Sequence, residues 1–411
     1  MLTSFMYRGR HLLTFGFLAV FLGNFGQSFY LGSYGASIQQ ALHLSATQYG
    51  FIYSLATLLA GSSLMLLGGR IDKMPLLRFV SLVAAGLFVA SLLFLLASNV
   101  YGLLAAFFMV RLCGQGLLPH TGITTMARCF DSHRGKAISI AGSGVPVGEI
   151  VLPLLAAFSI ATFGWQQSWL LVSLVIPLVF LPLTWWLLRA ASAEGFDFSG
   201  GEEPANTETN KSPAAGRMQV LKDGRFWRVL PALLSAPFVV TGIFIHQAFV
   251  MQQMLWAPEW FALCFVVYGA VHWVSSIAMG FLVDRFSARK LLPFYNLPLV
   301  LSMVTVALLD GNFVAVLMLA FLGMAIGGSG PIGGALWAET YGTKSLGSIR
   351  SMVTSFGVWS TAISPILFGV LIDHGVTLTG LCWVLAAAVL LACISAAFSY
   401  RDEPGEVNRA S

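Results

Sequence analysis

Arg111, Glu149 and His272 carry chemistry out of keeping with the residues around them. Each lies near the middle of an apolar run: Arg111 twelve residues after Asn99, Glu149 midway between Arg134 and Gly164, and His272 twelve residues before Asp284. Twelve helical residues rise about 18 Å, which is mid-depth in a bilayer. An ionisable group there costs at least about 2.5–3.5 kcal/mol, so each needs a reason. A guanidinium can hold an anion through its planar fork of donors. A desolvated carboxyl can take up and release a proton near neutral pH, and an imidazole suits the same exchange. The plainer alternatives are a buried ion pair between Arg111 and Glu149, which lie on consecutive runs, and a hydrogen-bonded packing role for His272. Asn24, Gln27 and Tyr30 add polar atoms near mid-depth in the first run. Gln27 and Tyr30, three residues apart, are predicted to share a helix face. Polar groups do not face lipid cheaply, so that face turns towards protein or a wet cavity, either as a substrate contact or as helix packing.

The elements that must position these groups follow from composition. Of 411 residues, 57% are hydrophobic and 9% charged, where a soluble domain carries about a quarter charged residues; the mean hydropathy is +0.82. A bilayer span needs about 20 apolar residues, and twelve such runs begin near residues 12, 46, 76, 100, 136, 165, 227, 259, 291, 312, 347 and 377. The first continues to about Ile38, too long for a secretory leader, and reads as an uncleaved helix. With an N-terminus on the cytoplasmic side, 21 of the 22 Lys and Arg fall in or beside cytoplasmic segments, Arg111 being the exception. The positive-inside rule therefore predicts both termini in the cytoplasm. That same distribution accounts for the net charge of +5 and leaves no basic surface for nucleic acid. The five cysteines have neither close spacing nor a metal-ligand pattern, so no disulfide, metal or other cofactor is expected.

Residues 190–226, rich in Glu, Asn, Thr, Pro, Gly and Ser, read as a linker between a six-span half over 1–189 and another over 227–400, with 401–411 a polar tail. The halves repeat. Gly68, Asp72, Lys73 and Arg78 in "GGRIDKMPLLR" pair with Gly280, Asp284, Arg285 and Lys290 in "GFLVDRFSARK", all 212 positions apart. The same offset pairs Gly116 with Gly328, Pro119 with Pro331, Gly122 with Gly334 and Pro153 with Pro365.

Two six-helix halves of like orientation, with a charged motif between the second and third spans of each, resemble the major facilitator superfamily over nearly the whole chain. That family's loop motif reads roughly G-x-x-x-D-[RK]-x-G-[RK]-[RK]. Both copies here keep the Gly, the Asp and the next base, but Pro75 and Ser287 stand where the second glycine is usual, and the later bases come one position late. "RLCGQG", from Arg111 to Gly116, resembles the Arg-containing motif of the family's fourth helix. "GSGVPVGEIVLP" resembles the proton-antiporter motif of the fifth, except that Val145 interrupts its Gly-Pro pair. The resemblance implies an all-α membrane protein of twelve transmembrane helices in two parallel repeats, acting as a monomer by alternating access. It also implies that the loop motifs, including Arg289, latch the halves on the cytoplasmic side. Asp72 and Asp284, at span ends, can bond helix N-terminal amides, and Glu339 is a candidate partner for Arg285 or Arg289.

The function expected is secondary transport of a small solute coupled to protons, with the lipid bilayer as setting. "GQSFYLGSYGASIQQALHLSATQYGFIYSLATL" and "RGKAISIAGSGVPVGEIVLP" resemble the branch holding bacterial monocarboxylate and oxalate-formate carriers, which implies a small organic anion and a bacterial inner membrane. That branch often places a cation in the eighth or eleventh span. Neither span has one here unless His272 is protonated, so Arg111 would carry the anion alone. Proton-antiport efflux of a drug or metabolite is the alternative within the class, and a non-transporting sensor the alternative outside it. "GGSGPIGG" lacks the Lys and Ser or Thr of a phosphate loop, so no nucleotide is expected. No His, Asp and Ser constellation marks an enzyme.

Overall fold

The computed structural model describes residues 6–7, 9–130, 133–198, 213–342 and 346–399. Eleven helices in it are long and apolar enough to cross a membrane: α1 (Arg10–Gly32), α2 (Ala46–Asp72), α3 (Leu76–Leu95), α4 (Val100–Cys129), α5 (Arg134–Phe163), α6 (Trp165–Ala193), α7 (Gly224–Ile245), α8 (Pro258–Phe286), α10 (Phe313–Tyr341), α11 (Ile349–Asp373) and α12 (Leu378–Phe398). The twelfth, α9, is a shorter apolar helix, Leu297–Leu308. Its run was expected to start near residue 291. Instead Ala288–Leu291 forms one short turn of helix, and the chain then turns through Pro293 to Asn296, whose Nδ2 donates to the Ala232 carbonyl at 2.6 Å. A proline nitrogen has no hydrogen to donate to a continuing helix.

Helices prevail because the bilayer leaves backbone groups no other partner, and their ends are marked by side-chain caps. Ser45 and Gln48 form a reciprocal capping box at the start of α2; Asn99, Asp223 and Thr377 cap α4, α7 and α12. Within the stretch expected to be linker, Pro213–Lys222 is helical. The rest of the linker that lies at 199–212, and the tail from 401, fall outside the described residues. Large apolar side chains such as Leu66, at 81% exposure, and Leu178, at 68%, point outward. In water such a surface is untenable; in lipid it is the solvated one.

The two halves meet along two seams, α2 against α11 and α5 against α8. Small residues set the separation of the backbones. A Cβ added to Gly50 would collide with the Pro365 carbonyl, one on Gly369 with the Ala46 carbonyl, and one on Gly269 with the Pro146 carbonyl. The α2–α11 contacts seal the end of the molecule away from Asp72 and Asp284, here termed the far face, and the Gly269–Pro146 contact closes the α5–α8 seam near mid-depth. Gly32 of α1 lies against the carbonyl of Phe244, its mate under the 212-residue offset, so the repeat axis passes close to this crossing. The cavities between the halves lie towards the opposite, motif-bearing face.

Candidate functional site

α1 is interrupted at its centre. Asn24–Gly26 makes a tight turn and Gln27 is extended (φ −80°, ψ 151°) before helix resumes at Ser28. The uncleaved helix expected to run to Ile38 is therefore broken, and the break frees a backbone carbonyl that α4 uses. Arg111 Nη1 donates to the Gly26 carbonyl at 3.0 Å, and the guanidinium lies over the Tyr53 ring, 4.9 Å from its centre. At Arg111–Leu117, α4 widens into a π turn, a distortion often found at functional sites, and Gly26 nests against it: a Cβ there would strike the Gln115 nitrogen and the Val110 carbonyl. Arg111 is 5% exposed and its Nε has no hydrogen-bond partner. Among the described residues no carboxylate lies within ion-pair distance of it.

Glu149 is bonded elsewhere. Its Oε2 meets His272 Nδ1 at 2.6 Å, across the α5–α8 seam, so the pair joins one half to the other. Arg111 and Glu149, although on consecutive helices, are not brought together, because α1 lies between them: Arg111 faces the broken turn of α1 and Glu149 faces α8. Asn24 fills the space next to Glu149. It is fully buried, its Nδ2 donates to Phe21 O at 3.0 Å and Gly144 O at 2.9 Å, and its side chain occupies the room left by the missing Cβ of Gly148.

Gln27 and Tyr30 do not share a face, since the extended backbone at Gln27 resets the helical phase. Gln27 Oε1 accepts from Gln115 Nε2 at 3.1 Å, whereas Tyr30 is buried against Trp169 and Phe25, with its hydroxyl 2.9 Å from that of Tyr34. Tyr30 is thus a packing residue of the first half. Gln27, Arg111 and Gln115 line a cavity of about 400 Å³ along the α2–α11 seam, together with Thr57, Thr354 and Thr361. Gln115 was not singled out in the sequence, although its place four residues after Arg111 on one helix face is a signal that could have found it. Thr57 and Thr361 carried no signal in the sequence. A second cavity of about 670 Å³ follows the α5–α8 seam and is lined by His272, Ser276, Gly280 and Asp284 of α8, with Ser139 and Ser143 of α5 opposite.

The loop motifs differ between the halves. Asp72 pairs with Arg128 at the end of α4, while Gly68 offers its carbonyl to His120 at 3.2 Å. In the second half the acid is Glu339 of α10, which accepts from the Ala288 and Arg289 amides at 2.8 and 3.1 Å; the Arg289 guanidinium also donates to the Glu339 carbonyl. So Glu339 does engage Arg289, and Arg285 instead lies over the Phe286 ring. Lys73, Arg78, Lys290 and Asp284 are exposed near the same face. An acid on the loop answered by a base on α4 is replaced, in the repeat, by loop amides answered by an acid on α10.

Twelve membrane helices in two repeats, with polar groups gathered mid-depth between them, define a membrane transporter architecture. The sequence profile of the Major Facilitator Superfamily matches residues 16–257 and again 244–411, and the chain belongs to that family. It is a multi-pass membrane transporter and not an enzyme. Its sequence is 24% identical over 250 residues to a protein of Haemophilus influenzae described as a metabolite transport protein, a stretch spanning 58% of each chain. Solved structures share the fold at low identity. A bacterial homologue of the human lysosomal transporter Spinster, in an inward-facing and unoccupied conformation, superposes with a TM-score of 0.69 at 15% identity, covering 96% of this chain and 94% of that one. The nucleoside transporter NupG superposes with a TM-score of 0.70 at 13% identity, covering 95% and 100%.

Proposed function

We propose that this chain carries a small organic anion, a monocarboxylate in type, across a bacterial inner membrane by alternating access, together with protons. The observation that carries the reading is Arg111. It is a permanent cation, buried at mid-depth between the halves, answered by one backbone carbonyl and one aromatic face and by no carboxylate among the described residues. Removing a charge from water without a partner is costly, and a solute carboxylate in the adjoining cavity supplies the missing partner. Gln27 and Gln115 offer amide groups beside it, and Thr57 and Thr361 hydroxyls further along the wall. Binding near the midplane between repeats is the geometry alternating access requires.

The Glu149–His272 pair supports proton coupling. It bridges the halves, so whether it holds one proton or two alters an inter-half bond directly. The basic residues gather on the motif face, which the positive-inside rule assigns to the cytoplasm; closure of the far face then corresponds to an inward-facing state.

The test uses purified protein in liposomes enclosing a pH-sensitive dye, challenged from outside with small carboxylates and then with lipophilic cations, with binding to the detergent-solubilised protein measured in parallel. Carboxylate-dependent internal acidification that is lost in Glu149→Gln, with carboxylate binding lost in Arg111→Ala, is expected. Proton movement evoked by cations and by no carboxylate would overturn the anion assignment in favour of efflux.

A further inference from the structure

The two cavities are the same place in the two seams. Under the 212-residue offset His272 corresponds to Ala60, Ser276 to Leu64, Pro146 to Val358 and Glu149 to Thr361, each pair taking up matched positions along the α5–α8 and α2–α11 seams. The architecture was copied, and the chemistry was then divided. Both seams carry hydroxyls, but one adds a guanidinium and amides and the other carboxylates and an imidazole.

Asp284 is the informative departure within the second seam. Its mate Asp72 is held by Arg128, but the residue 212 positions after Arg128 is Thr340, which carries no charge. The corresponding contact in the second half is made instead by Glu339 to the loop amides. Asp284 is left exposed, with no hydrogen bond or ion pair among the described residues, and it lines the α5–α8 cavity. His272, Ser276, Gly280 and Asp284 follow at intervals of four along α8 and all border that cavity. They span about 18 Å from mid-depth to the motif face. A Cβ on Gly280 would meet nothing within 4 Å, so this stretch is open, and the volume of about 670 Å³ has room for a chain of waters. His272 and Asp284 are the titratable groups of the lining. Glu149 from α5 and Tyr268 from α8 itself face the inner end, α10 brings the uncharged Pro331 and the backbone contacts of Gly323 and Gly327, and among the described residues no Lys or Arg borders the space.

We propose that the α5–α8 cavity is a proton vestibule separate from the solute cavity, with Asp284 gathering protons at its mouth and His272 delivering them to Glu149 at its floor. The inference rests on the reading of Glu149 as the proton carrier given under Proposed function. A proton from bulk water binds the Asp284 carboxylate and passes through water to His272 Nε2; the Nδ1 proton moves to Glu149 Oε2, and the imidazole is left neutral. Protons and solute thus reach mid-depth along different seams.

Two measurements test it. In liposomes, Asp284→Asn is expected to slow carboxylate-driven proton movement about tenfold at low buffer concentration, the scale on which a surface carboxylate concentrates cations. A high concentration of small mobile buffer is expected to restore the rate, Asp284→Glu to match the wild type, and carboxylate exchange and binding to stay unchanged. An unaltered proton rate, or an equal slowing of exchange, would overturn the proposal, the second by making Asp284 part of the latch. Independently of transport, Ser276→Cys in a background lacking the native cysteines is treated with a small cationic thiol reagent in detergent. Reaction that saturating carboxylate does not slow, and that Asp284→Asn slows for the cationic reagent but not for a neutral one, is expected; an unreactive Ser276→Cys rules out the vestibule. A wild type that moves no protons with any carboxylate defeats the earlier reading, and the thiol rates then still decide whether the cavity is open to the motif face.

Discussion

Asp373 supplies a prediction whose size follows from the geometry. It ends α11, and its two carboxylate oxygens accept from the Ala46 and Thr47 amides, at 3.1 and 2.9 Å, at the start of α2 in the other half. Ser45 Oγ takes the next free amide, that of Gln48, at 3.2 Å. The first turn of α2 is therefore capped jointly, one acceptor from its own half and one carboxylate from across the seam, and the bond exists only while the far face is closed. A side-chain cap is worth about 1 kcal/mol, and a carboxylate at an exposed helix N-terminus about 0.3–1 kcal/mol in addition. Asp373 is exposed and water replaces it on opening, so the low end applies. Asp373→Ala should then cost the closed state about 1 kcal/mol and raise the ratio of far-open to far-closed molecules about fivefold. Asp373→Asn, which keeps an acceptor but loses the charge, should shift it by less. The assay is a distance distribution between spin labels at Gln40→Cys and Gln253→Cys, both exposed and on opposite halves of the far face. Added salt should reproduce part of the effect in the unsubstituted protein, because screening weakens the charge term. Identical distance populations with and without Asp373, accompanied only by a lower melting temperature, would refute the reasoning.

Other consequences follow from single contacts. Gly50→Ala places a methyl group against the Pro365 carbonyl in the closed seam, so it should shift the same label distances in the same direction. Gly357→Ala, whose Cβ would meet nothing within 4 Å, should leave them unchanged. Gly148→Ala intrudes on the Asn24 side chain, and overpacking of this kind costs about 1–3 kcal/mol, readable as a lower unfolding temperature in detergent. Arg111→Lys keeps the charge but loses the planar stack on Tyr53 and the fork that reaches the Gly26 carbonyl. Carboxylate affinity should fall at least about tenfold, and an unchanged affinity in titration calorimetry would remove Arg111 from the solute site.

The residues differ in how far they could be read in advance. Arg111, Glu149 and His272 stood out because an ionisable group in a long apolar run is expensive, and the structure does place all three at the surfaces between helices. Their partners did not stand out. The pairing of Glu149 with His272 joins residues 123 positions apart, and Arg111 with Glu149 was the nearer match along the chain. Sequence spacing carries no information about how far each helix rotates about its axis when it packs. Tyr30 and Gln27 show the same limit on a smaller scale, since a single extended residue separated two side chains that an unbroken helix would have aligned. Asp373 passed unnoticed, an acid at the end of a span being unremarkable until the first turn of α2 is found beside it.

The sequence by itself determined the membrane class, the number and approximate position of the spans, and the twofold repeat. Inside lipid a helix must satisfy its own backbone hydrogen bonds, so span length and apolarity are written locally. Tertiary structure alone decided the break in α1 that presents the Gly26 carbonyl to Arg111, the partition of acidic and basic groups between two equivalent seams, and the face at which the halves are sealed. Those features depend on which glycines let two backbones touch and on how far one half rotates against the other. Such terms arise between residues hundreds of positions apart, and no run of neighbours records them.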